Sequence, residues 1–542
     1  MNRLPLEIYN QITSYLTYNE KRKLLLVCRY WHNMIKNGNL FNNFAIKGHH
    51  KFKAAALFFE NNISHRKQVR SLRLNNSEVG LDYVLNVPAH FPYIKDFVWT
   101  HYGAHQDETA INTHTKVIAD YWNSLTSFGE VNRHLLSTEI LKHGGFRSLT
   151  KLTVSFHFRG TSCSSLVQQL ANAPQLTHIE FAFPNMALVD LEQLHLNVPQ
   201  LEILYLSGVV QEEDDSLEGH GLEVVRIADR LTTLRMRNMS SARGGFVLTN
   251  AWMSYMAAKY RRLERLTIDG AGMTRGRQDY FESRLKDIVA ACPHLTTYKV
   301  NLFPMTSRIV SAMDSSQVKL KRVDLIDDTT EDQIQHLLYS RQCHSLETIT
   351  MNNTQLAPDV LFNALEGFAK LKHVEIECRQ RQSVSLDVVL QKLRCLETLK
   401  LSTWHIWLDK HAVHTIQTRL RSLVLEKSDI DTADGDVMAF LASTCPNLSK
   451  LSIQGQIQDS DKTVFRVEFP YHYFTSIKLD IFGNKYYRVS NQQQTRWYQF
   501  CGRKLLGSHQ DNQAIPKDQP HVTIVYKGSA NLKIGGTDIP NL

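Results

Sequence analysis

One arrangement of apolar and polar positions recurs through most of the chain: apolar-x-x-apolar-x-apolar. It reads LTKLTV from Leu149, LTHIEF from Leu176, LEILYL from Leu201, LTTLRM from Leu231 and LERLTI from Leu263. LTTYKV follows at Leu295, LKRVDL at Leu320, LETITM at Leu346, LKHVEI at Leu371 and LETLKL at Leu396. LRSLVL at Leu420, LSKLSI at Leu448 and FTSIKL at Phe474 complete the run, and VRSLRL at Val69 and IKDFVW at Ile94 stand upstream. From Leu295 to Phe474 the steps are 25, 26, 25, 25, 24, 28 and 26 residues; from Leu149 to Leu295 they are 27, 25, 30, 32 and 32. Chance supplies two or three such matches but not a near-constant phase, so one structural unit is repeated.

Within the template the first, fourth and sixth residues share one face of a short strand and the intervening ones point the other way. Between templates the apolar spacing becomes helical: Phe281, Leu285 and Ile288; Ile334, Leu337 and Leu338; Leu361, Leu365 and Phe368; Leu386, Val389, Leu390 and Leu393. A strand–turn–helix unit of this size cannot bury its own apolar face, and stacking neighbours completes a shared core. The expected fold is α/β, a curved solenoid with parallel strands inside and helices outside. Steps above 29 residues place insertions at about 207–225, 238–255 and 270–280. Several units carry a proline just before the strand, as in Ala173-Pro174, Val198-Pro199, Cys292-Pro293 and Cys445-Pro446, where it stops the preceding helix. Period and junctions together resemble the cysteine-containing subclass of leucine-rich repeats, with each junction cysteine expected to be a small buried hydrophobe.

A different unit precedes the array. Leu4, Ile8, Ile12, Tyr15 and Leu16 fit one face of a helix opened by Pro5, and Leu24, Val27, Cys28, Trp31 and Ile35 fit a second. Two helices this short leave an apolar stripe that needs either the array or a second protein to cover it. The residues Leu4-Pro5-x-Glu7-Ile8, then Leu26-Val27-Cys28-Arg29-x-Trp31, resemble the F-box over residues 3–41. With the repeats, the chain resembles fungal-like F-box/leucine-rich-repeat substrate receptors of SCF-type ubiquitin ligases. That resemblance implies a Skp-type adaptor bound by Leu4, Pro5, Ile8, Ile12, Leu16, Leu24, Val27 and Trp31, a cullin scaffold beyond it, and a target protein held on the concave face. It implies a non-catalytic subunit, cytoplasmic or nuclear. Lys21 departs from the pattern, standing where the family has an apolar residue. The implied map is an F-box at 1–45, a helical linker at 46–68, a solenoid at 69–480 and a closing β-rich segment at 481–542. That last segment either caps the array or folds over its concave face.

Composition narrows the alternatives. The chain has 542 residues, 43% of them hydrophobic and 21% charged, enough to bury an extended core. The longest aliphatic run, Leu24 to Val27, is far short of the ~20 residues of a membrane helix, and no secretion signal is visible. The eight cysteines are scattered without a C-x-x-C pair, which removes a finger-type zinc site and favours reduced thiols. A net charge of +9 spread with alternating sign is a mild bias and disfavours a nucleic-acid groove. Gly244-Gly245 and Gly270-Ala-Gly272 lack the strand–loop–helix context of a phosphate loop, and no metalloprotease or nucleophile-elbow motif occurs. No catalytic residue, metal or cofactor is assigned.

The outward strand positions form ladders on the concave face, and these are the candidate target-binding residues. A basic group, Arg235, Arg237, Arg265, Lys299 and Arg322, is accompanied by Tyr205 and followed by Asp324, Glu375 and Glu377. A mixed ladder suits a protein ligand of complementary charge; an ordinary solvated strand face is the plain alternative. Two rivals to the ligase reading are an F-box/leucine-rich-repeat scaffold outside ubiquitylation and a nucleic-acid-binding solenoid.

Overall fold

The computed structural model describes residues 21–539 except 22, 31, 34–40, 48, 76–83, 86, 101–118, 132–134, 157–160, 212–226, 239, 242–247, 271–277, 302, 326–328, 410–417, 432–435, 459–463, 482–485, 492–493, 502, 511–520 and 530. The chain divides into two compact units, Met1–Arg277 and Gln278–Leu542.

In the first unit the strands are β1 (Asn43–Lys47), β2 (Ser71–Asn75), β3 (Asp96–Thr100), β4 (Ser127–Val131), β5 (Lys151–Ser155), β6 (Thr161–Ser162), β7 (His178–Ala182), β8 (Pro184–Met186), β9 (Ile203–Ser207), β10 (Val210–Gln211), β11 (Thr233–Arg237), β12 (Ser240–Ser241) and β13 (Arg265–Asp269). Its helices are α1 (His49–Asn61), α2 (Ile63–Arg66), α3 (Val87–His90), α4 (Leu135–Lys142), α5 (Ser164–Gln169), α6 (Leu188–Asn197) and α7 (Asn250–Lys259). Strands β1, β2, β3, β4, β5, β7, β9, β11 and β13 pair in that order, all parallel, as helical crossovers require. Register aligns the repeat template: Leu72, Phe97, Phe128, Leu152, Ile179, Leu204, Leu234 and Leu266 form one buried row. Burying each such side chain is worth about 1.5–3 kcal/mol, so every repeat depends on its neighbours.

Two strands of this ladder, β1 and β4, lie outside the repeats read from the sequence. The ladder begins at β1, which straddles the expected boundary between the F-box (1–45) and the helical linker (46–68), and helix α1 follows within the linker stretch. Strand β4 fills the gap between Ile94 and Leu149. Its third inward position is Glu130, fully buried in a row that otherwise holds Leu74, Trp99, Val154, Phe181, Leu206, Met236 and Ile268. The carboxylate accepts from the Leu136 and Ser137 amides at 3.1 and 2.8 Å and from the Ser137 hydroxyl, at the first turn of α4. It meets the orphan amides and positive end of that helix, which is why a charge is tolerated there.

After the ladder strand, several repeats turn through one residue in the left-handed region, at Phe183, Gly208 and Asn238. Backbone N–H groups of Phe183, Gly208 and Asn238 donate to the carbonyls of Ser207, Arg237 and Asp269 on the next repeat, at 2.6–2.7 Å. A Cβ on Gly208 would stand 2.4 Å from the Phe183 ring, so the close stacking of these turns needs glycine there. The turn leads into a second, four-stranded sheet in which β6, β8, β10 and β12 pair in parallel.

The second unit holds β14 (Thr297–Val300), β15 (Arg322–Leu325), β16 (Thr348–Thr354), β17 (His373–Ser385), β18 (Thr398–Trp407), β19 (Ser422–Asp431), β20 (Lys450–Gln458), β21 (Val464–Phe474), β22 (Ser476–Ile481), β23 (Tyr486–Ser490), β24 (Thr495–Cys501), β25 (Lys504–Gln510), β26 (His521–Ser529), β27 (Leu532–Ile534) and β28 (Thr537–Ile539). Its helices are α8 (Gln278–Ala291), α9 (Ser307–Ser315), α10 (Glu331–Leu338), α11 (Pro358–Glu366), α12 (Leu386–Lys392) and α13 (Val437–Thr444). Strands β14 to β20 pair consecutively and in parallel, then β22, then β27, which turns back antiparallel into β28. The C-terminal segment therefore adds a rung to the ladder. Together with β21, which precedes it, it also builds a five-stranded sheet, β21-β26-β23-β24-β25.

The helical spacing read from the sequence lands on α8, α10, α11 and α12, with Leu285, Leu337, Leu361, Leu365 and Leu390 fully buried. Helices α6, α8 and α13 end just ahead of Pro199, Pro293 and Pro446. Cys292 and Cys445 are buried free thiols, as their junction position suggested. Each unit is thus a leucine-rich-repeat type of α/β solenoid.

Candidate functional site

Of the residues expected to meet an adaptor, Leu4, Pro5, Ile8, Ile12, Leu16 and Trp31 lie outside the described residues. Leu24 is half-buried, Val27 is 62% exposed and its neighbour Leu26 is 87% exposed. Lys21 is buried, and burial lowers its pKa from the ordinary lysine value.

The ladder residues of the first unit come together as the spacing predicted. Register places Glu180, Tyr205, Arg235 and Thr267 in one row and Ser207, Arg237 and Asp269 in the next. Arg265 stands opposite Thr233, one row earlier. The Arg235 guanidinium lies over the Tyr205 ring at 5.9 Å, and the edge of His178 meets that ring at 5.2 Å. Burial, with Lys151 nearby, pulls the His178 pKa down to about 4, so its ring is neutral at pH 7. Arg237 pairs with Asp269 at 3.5 Å. All three arginines are exposed.

The second unit differs. Lys299, Asp324, Thr350, Glu375, Lys400, Val424 and Ser452 share a row, as expected. Asp324 is buried at 3% exposure, held by Arg322 at 2.8 Å and Lys299 at 3.4 Å. The hydrogen bond to Asp324 raises the Arg322 pKa. Lys400 bridges Glu375 at 2.7 Å and Glu426 at 3.3 Å, and Lys427 lies 3.7 Å from Glu377. In this unit every charge of the candidate set is ion-paired: Lys299 and Arg322 with Asp324 inside the set, Glu375 and Glu377 with Lys400 and Lys427 outside it. Sequence spacing could place them in rows but could not say which would pair. Trp404 is fully buried against Phe362, and Trp407 is half-buried.

A buried polar cluster that sequence reasoning missed joins α6 to α7. Lys259, only 2% exposed, donates to both Glu192 oxygens at 2.8 Å, and the Tyr255 hydroxyl donates to Glu192 at 2.7 Å. His195 meets the Tyr260 hydroxyl at 2.9 Å. Burial, then Lys259, lowers the His195 pKa to about 3. The i, i+3 spacing of Glu192 and His195 was the available signal, but their partners lie more than sixty residues along the chain. The cluster ties two helices together. Among the described residues no group of three or more His, Cys, Asp or Glu is placed to hold a metal, and no helix is long and apolar enough to cross a membrane.

Residues 1–47 match the F-box-like family model. No curated protein matches the chain. Among solved structures, an internalin (inlF) from Listeria monocytogenes is 15% identical, covering 60% of this chain and 85% of its own, with a TM-score of 0.33. A chain of the yeast Rad7–Elc1 complex is 13% identical, covering 65% and 85%, with a TM-score of 0.39. A chain of the Drosophila Toll–Spatzle complex is 13% identical, covering 81% and 59%, with a TM-score of 0.36. At these scores the parallel ladder itself, not the neighbours, establishes the architecture. An F-box-like N-terminus thus precedes a leucine-rich-repeat array.

Proposed function

We propose that this chain is the substrate-recognition subunit of an SCF-type ubiquitin ligase. Its F-box, placed at residues 1–45, would dock on a Skp-type adaptor through Leu4, Pro5, Ile8, Ile12, Leu16, Leu24, Val27 and Trp31. Its strand face would hold a target protein near the ubiquitin-loaded enzyme. The observation that carries this reading is the F-box-like match at residues 1–47 directly ahead of a long parallel ladder. The open Leu26 and Val27 side chains, which stand on a turn at residues 25–27 rather than within the helix expected there, support it, since a docking surface keeps apolar groups uncovered until its partner arrives. In this role the chain makes and breaks no bond; it fixes the distance between two proteins.

The test is co-purification. Full-length chain should bring down a Skp-type adaptor and a cullin, and Leu4→Ala/Pro5→Ala should lose both. Absence of the adaptor from the wild-type eluate, or its retention by the double variant, overturns the proposal. An adaptor recovered without cullin points instead to a scaffold outside ubiquitylation.

A further inference from the structure

The two units carry charge on their ladder faces in different ways. In the second unit each of the face carboxylates Asp324, Glu375, Glu377 and Glu426 has a lysine or arginine within 4 Å. In the first, Arg235, Arg237 and Arg265 crowd two neighbouring strands, β11 and β13, and Asp269 is the one carboxylate ion-paired with them among the described residues. Glu180, on the row of Arg235, is two strands from it, and Asp96, on the row of Arg265, is farther still.

Geometry makes the three arginines a unit. Arg265 is in register with Thr233, so the three positions span one strand spacing and four residues, roughly 5 by 13 Å. Arg235 and Arg237 are two residues apart on one face, about 6.6 Å along the strand. An extended peptide presents alternate side chains at that same interval. Guanidinium forks bind paired oxyanions through two parallel hydrogen bonds. The Tyr205 ring beneath Arg235 limits the freedom that this side chain would otherwise lose on binding.

We propose that the target is captured by an extended anionic segment, with oxyanion side chains at alternate positions, lying along β11 and held by Arg235, Arg237 and Arg265. The inference rests on the target-binding part of the proposed function and places that binding in the first unit rather than on the self-neutralised face of the second. The oxyanions are carboxylates or phosphates, and one experiment separates the sources.

Three labelled peptides on one scaffold, with alternating Glu, phosphoserine or Gln, are titrated against the full-length chain by fluorescence anisotropy. The Glu or phosphoserine peptide should bind and the Gln peptide should not. Tighter binding of the phosphoserine peptide assigns a phosphorylated segment, and equal binding a merely acidic one. Arg235→Glu/Arg265→Glu should weaken the anionic peptides about tenfold or more. Lys427→Glu/Lys478→Glu, an equal change of net charge on exposed residues of the second unit, should leave them unchanged. Equal loss in both double variants, binding of the Gln peptide, or no binding of either anionic peptide overturns the inference. Adaptor co-purification is run on the same variants and should be intact. A wild-type chain that fails it yet discriminates the peptides refutes the ligase reading and leaves this one standing.

Discussion

Replacing Glu130 by leucine restores the repeat template and should nonetheless destabilise the protein. The apolar rule asks for leucine at this inward position, and its neighbours in the row, Trp99 and Val154, are buried and apolar. The structure asks for an acceptor, because three donors from Leu136 and Ser137 converge on the carboxylate. Hydrogen bonds to a charged group are worth about 1.5–3 kcal/mol each, and a buried amide left without an acceptor costs about 1–3 kcal/mol. Burying a leucine returns about 1.5–3 kcal/mol. With partial relaxation of the turn, Glu130→Leu should cost about 2–4 kcal/mol. Glu130→Gln keeps the shape and one acceptor oxygen, and should cost less. Hydrogen-exchange mass spectrometry over residues 127–142 reads the effect locally, which suits a repeat array that need not unfold in one step. Faster exchange of the α4 amides in Glu130→Leu, with Glu130→Gln intermediate, is the expected order. Protection equal to or above wild type in Glu130→Leu would refute the reasoning and show that the apolar pattern alone governs the site.

Lys259→Met leaves the Glu192 carboxylate without its buried cation and should lower stability by about 3–5 kcal/mol, whereas Lys259→Met/Glu192→Leu should recover much of the loss in urea unfolding. The His195 pKa falls from 6.5 to about 3 on folding, so between these values the unfolded chain binds the extra proton; stability of the first unit should fall as pH drops from 6.5 toward 3, and His195→Gln should flatten that part of the unfolding-versus-pH curve. Asp324→Asn removes the counter-charge shared by Arg322 and Lys299 and should increase amide exchange in β14 and β15, an effect absent from the exposed Lys478→Ala. Gly455→Ala sets a methyl group 1.7 Å from the Ser428 carbonyl oxygen, so β19 and β20 must separate, and a loss of at least about 3 kcal/mol is expected by thermal unfolding.

Where reading of the repeats stopped short, the reason is local. Phe41-x-x-Phe44-x-Ile46 fits the template, but a single upstream match without leucine carries little weight. Leu125-x-x-Phe128-x-Glu130 breaks it with a charge whose solvation comes from the next helix rather than from water. Leu532–Ile534 joins the ladder beside β22 after about fifty intervening residues, too far for any period to register.

The sequence by itself determined the repeating unit, because side-chain alternation along a strand and apolar spacing along a helix are properties of a few consecutive residues. It determined the F-box-like segment for the same reason, and it placed Tyr205, Arg235 and Arg237, like Asp324 and Glu375, in their rows. Only the tertiary structure decided which charges are spent on one another. Asp324 and Arg322 are neighbours on one strand, but Lys299, Lys400 and Lys427 find their carboxylates across strands. Charge pairing depends on distances of a few ångströms between residues far apart in the chain, and that is set by register and packing rather than by composition.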